Sequence, residues 1–268
     1  MDMDIKGKRI LLTGASGGIG SALSRKLAAT GADLVLCSHQ SGSLEKLAVD
    51  LRTIAGAGTI ITEVANLSLA EERRRLSANC EALGGIDILI NLAGVLDFNL
   101  FENQTPEVIE RTIAVNLLAP MLLCREFLPQ MKGREAATIL NVGSIFASIG
   151  HPGFVAYCAS KAGIKSFSES LGRELADTGI RVSYIAPRAT ATALNTDRIN
   201  AMNKQLGNKI DTPDYVAQQI LKQLVSGQTL SYLGWPEKLF VRINALLPAV
   251  VHKALVKNLG LIKQFASS

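Results

Sequence analysis

The chain has 268 residues, of which 48% are hydrophobic and only 19% charged, a balance that excludes a disordered protein and suffices for one large core in a single domain. Its net charge of +5 comes from Lys and Arg scattered among acids with few interleaved aromatics, which argues against a nucleic-acid surface. The four cysteines, Cys37, Cys80, Cys124 and Cys158, lack the close spacing of a metal site and read as reduced, mostly buried thiols.

The start, Met1-Asp2-Met3-Asp4, is acidic and leads straight into a first strand, which argues for a cytoplasmic protein without a signal or transit peptide. No apolar run reaches the roughly 18 uncharged residues that a spanning helix needs. From there, short apolar runs alternate with longer helical stretches: 9–12, 34–37, 59–61, 86–90, 138–142 and 181–185, with a seventh near 230–233. Strands so continuously apolar are covered on both faces, as crossover helices cover a parallel sheet. Helix starts are marked by the capping-box pair Ser68 and Glu71, and by Thr105-Pro106 and Thr212-Pro213, each a hydroxyl before a proline at the first helical position. The fold expected is α/β: a doubly wound, parallel, seven-stranded sheet with helices on both faces, over residues 1–235, followed by a C-terminal extension, 236–268, packed on the same domain.

After the first strand, Thr13-Gly14-Ala15-Ser16-Gly17-Gly18-Ile19-Gly20 opens into a helix over about 21–30. A glycine-rich turn between strand and helix lets the backbone approach a pyrophosphate at the positive end of the helix dipole. Gly14, Gly18 and Gly20 carry that role, with Ser16 and Ile19 beside them. Such turns also serve merely to reverse the chain, but the position after strand one favours a dinucleotide. At the end of the second strand, Cys37-Ser38-His39-Gln40-Ser41 holds no carboxylate to repel a 2′-phosphate, so Ser38 and His39 favour NADP(H) over NAD(H). No Arg or Lys stands there either, and His39 also reads as a plain exposed turn residue. Further on, Asn66 and Leu67 are candidates for the adenine, while Asn91-Leu92-Ala93-Gly94 ends the fourth strand with room for a flat ring, Asn91 and Ala93 facing the cofactor.

Strand five ends at Asn141-Val142-Gly143-Ser144, and Tyr157-Cys158-Ala159-Ser160-Lys161 then begins a long helix. The i, i+4 spacing puts Tyr157 and Lys161 on one face. An ammonium beside a phenol favours phenolate, which would let Tyr157 exchange a proton near neutral pH, with Ser144 bonding the substrate oxygen.

Together these motifs resemble the short-chain dehydrogenase/reductase family: TGASGGIG at 13–20, NLAG at 91–94, Asn116, Ser144 and YCASK at 157–161, in the family's order across residues 6–192. The resemblance implies a Rossmann-type NAD(P)-dependent oxidoreductase in which Tyr157 is the general acid/base and Ser144 orients the carbonyl. Lys161 would bind the nicotinamide ribose, Asn116 would support a water-linked proton relay, Thr192 would contact the cofactor amide, and residues 193–212 would form a lid over substrate. Two departures stand out: Pro187-Arg188 where the family has Pro-Gly, and Leu92 in place of a frequent second asparagine. Arg188 is available to an anionic substrate portion or a cofactor phosphate, or stands as a solvated loop arginine.

Past residue 236 the basic residues Lys238, Arg242, Lys253, Lys257 and Lys263 face one acid, Glu237, beside apolar Phe240, Leu247, Val250 and Leu259. Such a segment can pack as a docked helix or subunit contact, roof a lipophilic substrate channel, or touch a membrane peripherally. The expectation is a homo-oligomeric reductase or dehydrogenase acting on a lipophilic ketone or alcohol such as a ketoacyl thioester. A small polar or sugar-like substrate, or a dinucleotide-sensing protein without turnover, are the alternatives.

Overall fold

The apolar runs form seven parallel strands because each places bulky side chains alternately on two faces, and both faces find a helical layer. A computed structural model describes residues 3–267; Met1 and Asp2 of the acidic start, and Ser268, lie outside the described residues. In chain order the elements are β1 (Arg9–Thr13), α1 (Gly18–Ala28), β2 (Asp33–Ser38), α2 (Ser41–Arg52), β3 (Ile60–Val64), α3 (Ala70–Ala82), β4 (Ile88–Asn91), α4 (Pro106–Ile113), α5 (Ala119–Lys132), β5 (Ala137–Val142), α6 (Val155–Glu174), β6 (Ile180–Ala186), α7 (Asp197–Leu206), α8 (Pro213–Ser226) and β7 (Leu230–Tyr232). Three more helices follow, α9 (Glu237–Leu246), α10 (Pro248–Lys257) and α11 (Leu259–Ala266).

The sheet order is β3-β2-β1-β4-β5-β6-β7, every pairing parallel. Period-two alternation divides the core. Ile10, Leu12, Leu34 and Leu36 pack on Leu23 and Leu27 of α1, Leu44 of α2 and Ile220 of α8. Leu11, Val35, Leu89 and Ile139 turn the other way, onto Leu76 of α3, Leu123 and Phe127 of α5 and Leu171 of α6. Each such side chain, wholly withdrawn from water, contributes roughly 1.5–3 kcal/mol.

Two helix starts form as expected in part and one does not. Thr212 caps α8 by accepting from the Tyr215 amide at 3.2 Å, whereas Thr105 precedes Pro106 but its hydroxyl makes no bond to the amides of α4. The Ser68–Glu71 capping box is not formed. Leu69 stands at the start of α3, and the loop before it closes as an Asn turn, Asn66 Oδ1 accepting from the Ser68 amide at 3.1 Å while Glu72 accepts from the Asn66 amide at 2.6 Å. The local Asn and the neighbouring glutamate take the bonds that the box would have used.

The extension is helical throughout its described part. Val241 of α9 and Val251 of α10 pack on Ile145, Ile149 and Ala186, near the ends of β5 and β6. Helix α11 sets Ile262 and Ala266 among Phe98, Phe154, Tyr157, Ile199 and Met202. Among the described residues no helix is long and apolar enough to cross a membrane.

Candidate active site

The sheet order reverses between β1, whose successors lie to one side, and β4, whose successors lie to the other, which opens a crevice at the carboxyl ends of these two strands. The glycine-rich turn lies there. Gly14 adopts φ +68°, and a Cβ on it would come 2.8 Å from Ala93 Cα, so only glycine lets the loops after β1 and β4 close on each other. Thr13, which no motif singled out, clasps them: its Oγ1 accepts from the amides of Leu92 and Ala93 at 3.0 and 3.2 Å. Helix α1 starts at Gly17 with no side-chain cap, which leaves its first amides to an outside anion. Gly20 is buried in that first turn, and a Cβ on Gly18 would lie 2.7 Å from Thr192 Cγ2, so the turn and the loop after β6 form one cradle. At the end of β2 the Ser16 and Ser38 hydroxyls bond at 2.6 Å, and His39 is exposed beside them. This donor set, without a carboxylate, fits a dinucleotide.

One expected contact falls elsewhere. The Asn91 side chain turns away from the crevice, donating to Asn141 Oδ1 at 2.8 Å and to Cys124 Sγ at 3.5 Å. It shares the strand face of Leu89, two residues earlier, and that face meets α5. Leu92, on the opposite face, lines the cavity instead. After β3, exposed Asn66 gives its side-chain oxygen to its own turn, and Leu67 packs partly on the α3–α5 layer.

The crevice continues into a cavity of about 180 Å³ bordered by Ile19, Leu92, Gly94, Ser144, Tyr157, Lys161 and Thr192 and walled by Leu96, Ile145, Phe146, Phe154, Ile199 and Met202. Tyr157 and Lys161 lie one turn apart on α6, both buried, with Nζ 5.8 Å from the phenol ring centre and donating to the Val142 carbonyl at 3.1 Å. Ser144 begins the turn after β5, its Oγ accepting from the Phe146 amide at 3.1 Å. Beneath it the buried Tyr184 hydroxyl donates to the Ser144 carbonyl and accepts from its amide, each at 3.3 Å. A Cβ on Gly143 would stand 2.0 Å from that oxygen, so the glycine is the space the tyrosine fills.

Burial decides the electrostatics of the pair. It pushes the Tyr157 phenol up to about 12 against the opposing bond to Ser144, and pulls the Lys161 ammonium down to about 8. In the protein by itself burial thus favours the protonated phenol, against the expectation of a phenol tuned toward neutral pH by its lysine.

A family model described as short chain dehydrogenase matches residues 8–203. The chain belongs to the short chain dehydrogenase family. Its reaction class is accordingly NAD(P)-dependent oxidoreduction. It is 39% identical to Nodulation protein G of Rhizobium meliloti (strain 1021) over 203 residues, 75% of this chain and 80% of that one. It is 33% identical to the 3-oxoacyl-[acyl-carrier-protein] reductase FabG of Rickettsia bellii (strain RML369-C) over 244 residues, 87% and 98% of the two chains. A short chain dehydrogenase/reductase of Burkholderia phymatum, solved in complex with NAD, has the same fold at a TM-score of 0.83 and 23% identity, over 92% of this chain and 96% of that one. A metagenomic short-chain oxidoreductase in complex with NADP gives 0.73 at 28% identity, over 86% and 97%.

Within this dehydrogenase, Asn116 lies on a wide π-helical turn, Ala114–Leu118, between α4 and α5. Its amide donates to the Val95 carbonyl at 2.8 Å and to Ser160 Oγ at 3.1 Å, and its oxygen accepts from the Val95 amide at 2.8 Å, so the side chain holds the loop after β4 in place. Arg188 is not a solvated loop arginine: both of its terminal nitrogens are bonded inside the protein. It bonds Asp211 at 2.7 Å, Glu237 at 3.0 Å and the Trp235 carbonyl at 3.3 Å, and thereby ties the loop after β6 to the segment after α7 and to the start of the extension. Sequence reasoning missed Thr13, Tyr184 and Asp211; only the parallel register of β1, β4, β5 and β6 brings the first two to the crevice.

Proposed function

We propose that this dehydrogenase interconverts a lipophilic ketone or aldehyde and its alcohol, with NADP(H) preferred over NAD(H) and Tyr157 as the general acid/base. The observation that carries the reading is the buried Tyr157–Lys161 pair with Ser144 in a mostly apolar cavity. A protonated Tyr157 at neutral pH is the form that a ketone reduction consumes: it gives its proton to the developing alkoxide, while Ser144 donates to the same oxygen. Lys161, held by the Val142 carbonyl, presents its remaining N–H groups to the ribose of the cofactor and to the phenol side of the site. Gly14, Gly18 and Gly20, with the first amides of α1, would hold the pyrophosphate, and Ala93, Ile19 and Thr192 would bracket the nicotinamide, which when bound supplies or takes up the hydride. Asn116 acts by holding the loop that carries Gly94 against Lys161.

The preference for the phosphorylated cofactor is supported by the Ser16–Ser38 hydroxyl pair and His39 at the end of β2, and by Arg75, whose guanidinium donates to Val64 in the register position beside Ser38. The substrate class is supported by the Leu96, Phe146, Phe154, Ile199 and Met202 wall, which suits an acyl chain, while Asn195, Asn203, Asn208 and Lys209 on the same cavity are available to a polar end of the substrate. A 3-oxoacyl thioester is the specific candidate that the Rickettsia relative's name suggests. Exposed Leu118 and Met121 at the start of α5 support self-association. The test combines NADPH and NADH titration with turnover of ketones graded in chain length, in wild type and Tyr157→Phe. Tighter NADPH binding, turnover rising with chain length and loss of turnover in the variant are expected; full turnover by Tyr157→Phe would overturn the mechanism, and binding without turnover of any ketone would leave a dinucleotide sensor.

A further inference from the structure

The extension carries a surface that the proposed chemistry does not use. Helices α9 and α10 meet at a corner with Leu247 as the only residue between them, and the corner is the sequence Leu246-Leu247-Pro248-Ala249-Val250, every residue of it exposed. Leu246 is 80% accessible, Leu247 61% and Val250 55%, with Phe240 of α9 and Val256 of α10 exposed behind them. Only Val241 and Val251 are buried against the body, so the corner projects beyond the packed part of both helices. Contiguous exposed apolar surface of this kind marks a contact that the chain by itself does not complete.

Charge selects the partner. Counted from Leu247, Arg242 stands five residues back along α9 and Lys253 six along α10, while Lys238 and Lys257 stand nine and ten away. At about 1.5 Å of rise per residue, the first pair of cations lies roughly 8 Å behind the apolar corner and the second roughly 14 Å. The one acid of the extension, Glu237, is consumed internally by Arg188. Four of the chain's five net positive charges therefore belong to residues 236–268. A symmetric contact with a second copy would set these cations against their own equivalents. An anionic lipid surface meets both features at once, taking the apolar corner below the headgroups and the paired cations at the level of the phosphates.

We propose that the α9–α10 corner docks this protein peripherally on anionic membranes, with Leu246, Leu247 and Val250 inserted and Arg242, Lys253, Lys238 and Lys257 on the headgroups. Helix α11, at the far end of α10 from this corner, packs on the Phe98–Phe154–Tyr157 cluster, so the segment that would dock also backs the apolar side of the active site. The proposal rests on the surface of the extension and stands apart from the catalytic reading.

The test is flotation of the full chain with vesicles of phosphatidylcholine alone or with about one-third phosphatidylglycerol, at low and high salt. Wild type is expected to float with the anionic vesicles, to stay behind with the neutral ones, and to be released by salt. Each cation contributes about fivefold to partitioning, so Arg242→Gln with Lys253→Gln lowers it about thirtyfold. Leu246→Asp with Leu247→Asp lowers it at least tenfold, as an apolar insertion requires. Both are surface changes, and an unchanged melting temperature and cofactor titration show that the fold is kept. Absence of wild-type binding to anionic vesicles, equal flotation of either double variant, or a wild-type dimer that the leucine variant converts to monomer without any vesicle binding would each overturn the proposal.

Discussion

Arg188 is the sharpest place to test the architecture, because one guanidinium joins three segments of chain. Its side chain is 13% accessible, that of Asp211 8% and that of Glu237 21%, so replacing Arg188 with Met strands one nearly buried carboxylate and a second partly buried one. Breaking a fully buried pair from one side costs about 3–5 kcal/mol and breaking a surface pair about 0–1, which places this site at roughly 2–4 kcal/mol. With an unfolding entropy near 2.1 cal/mol/K per residue, that is a fall of about 4–7 °C in Tm for a chain of this length. Asp211 also lies in a backbone bridge with Thr190, two residues from Thr192, so the loop that lines the cavity loosens with it. Thermal melting of Arg188→Met, Asp211→Asn and the double variant makes the comparison, alongside cofactor titration. The double variant should recover at least half of the stability lost by Arg188→Met, since the more deeply buried of the two stranded charges is gone, and cofactor affinity should drop in the single variant. A loss below about 2 °C in Arg188→Met, typical of an exposed ion pair, would refute the reasoning.

Four further outcomes are expected. Tyr157→Phe should lower kcat by about 10²–10⁴ with cofactor affinity nearly unchanged, read by steady-state kinetics and fluorescence titration. Tyr184→Phe removes both bonds to the Ser144 backbone and should lower kcat about tenfold, with little change in cofactor affinity, which kcat and KM measured separately will show. Because the folded Lys161 has its pKa pulled down to about 8 from 10.5, the stability it contributes is present above 10.5 and is lost as pH falls toward 8. The melting-temperature difference between Lys161→Met and wild type should therefore favour the variant at pH 7 and close by about pH 10.5; the comparison cancels the buried thiols Cys37, Cys80 and Cys124, raised to about 12, which cost stability above pH 9. Finally, Ser38→Asp places a carboxylate against the 2′-position and should shift the NADPH/NADH affinity ratio at least tenfold toward NADH in paired titrations.

The sheet was legible because its strands are buried on both faces, so that runs such as 86–90 and 138–142 have no polar residue to blur them except where a polar side chain does structural work. Asn91 shows both the strength and the misuse of that signal. Its two-residue spacing from Leu89 already placed it on the inner face, yet its position in a family motif suggested the cofactor. Tyr157 and Lys161 were legible as an i, i+4 pair, but their electrostatics were not, since spacing reports that a cation is near and says nothing about how much water is excluded. Arg188 was misplaced because its partners stand 23 and 49 residues away and carry no local mark. The same holds for Ile262 and Ala266 of α11, whose packing near Tyr157 depends on how three short helices fold back over the sheet. The Ser68 box failed for the opposite reason: a pattern legible in sequence lost to a neighbouring Asn turn of similar strength.

The cavity has two kinds of wall. Ser144, Tyr157 and Lys161, the groups proposed for the chemistry, hang from β5 and α6, inside the sheet and its first helical layer, while Ile199 and Met202 come from α7, laid over it later in the chain and backed by Ile262 of α11. The selective half of the pocket is thus a separate cover, clipped on by Arg188, tied by Arg198 to the Phe98 carbonyl and otherwise held largely by apolar contact. Grafting the segment after Thr192 from a relative should exchange the range of substrates accepted while leaving the reacting groups in register, because none of the hydrogen bonds that aim Ser144, Asn116 or Lys161 crosses into that cover.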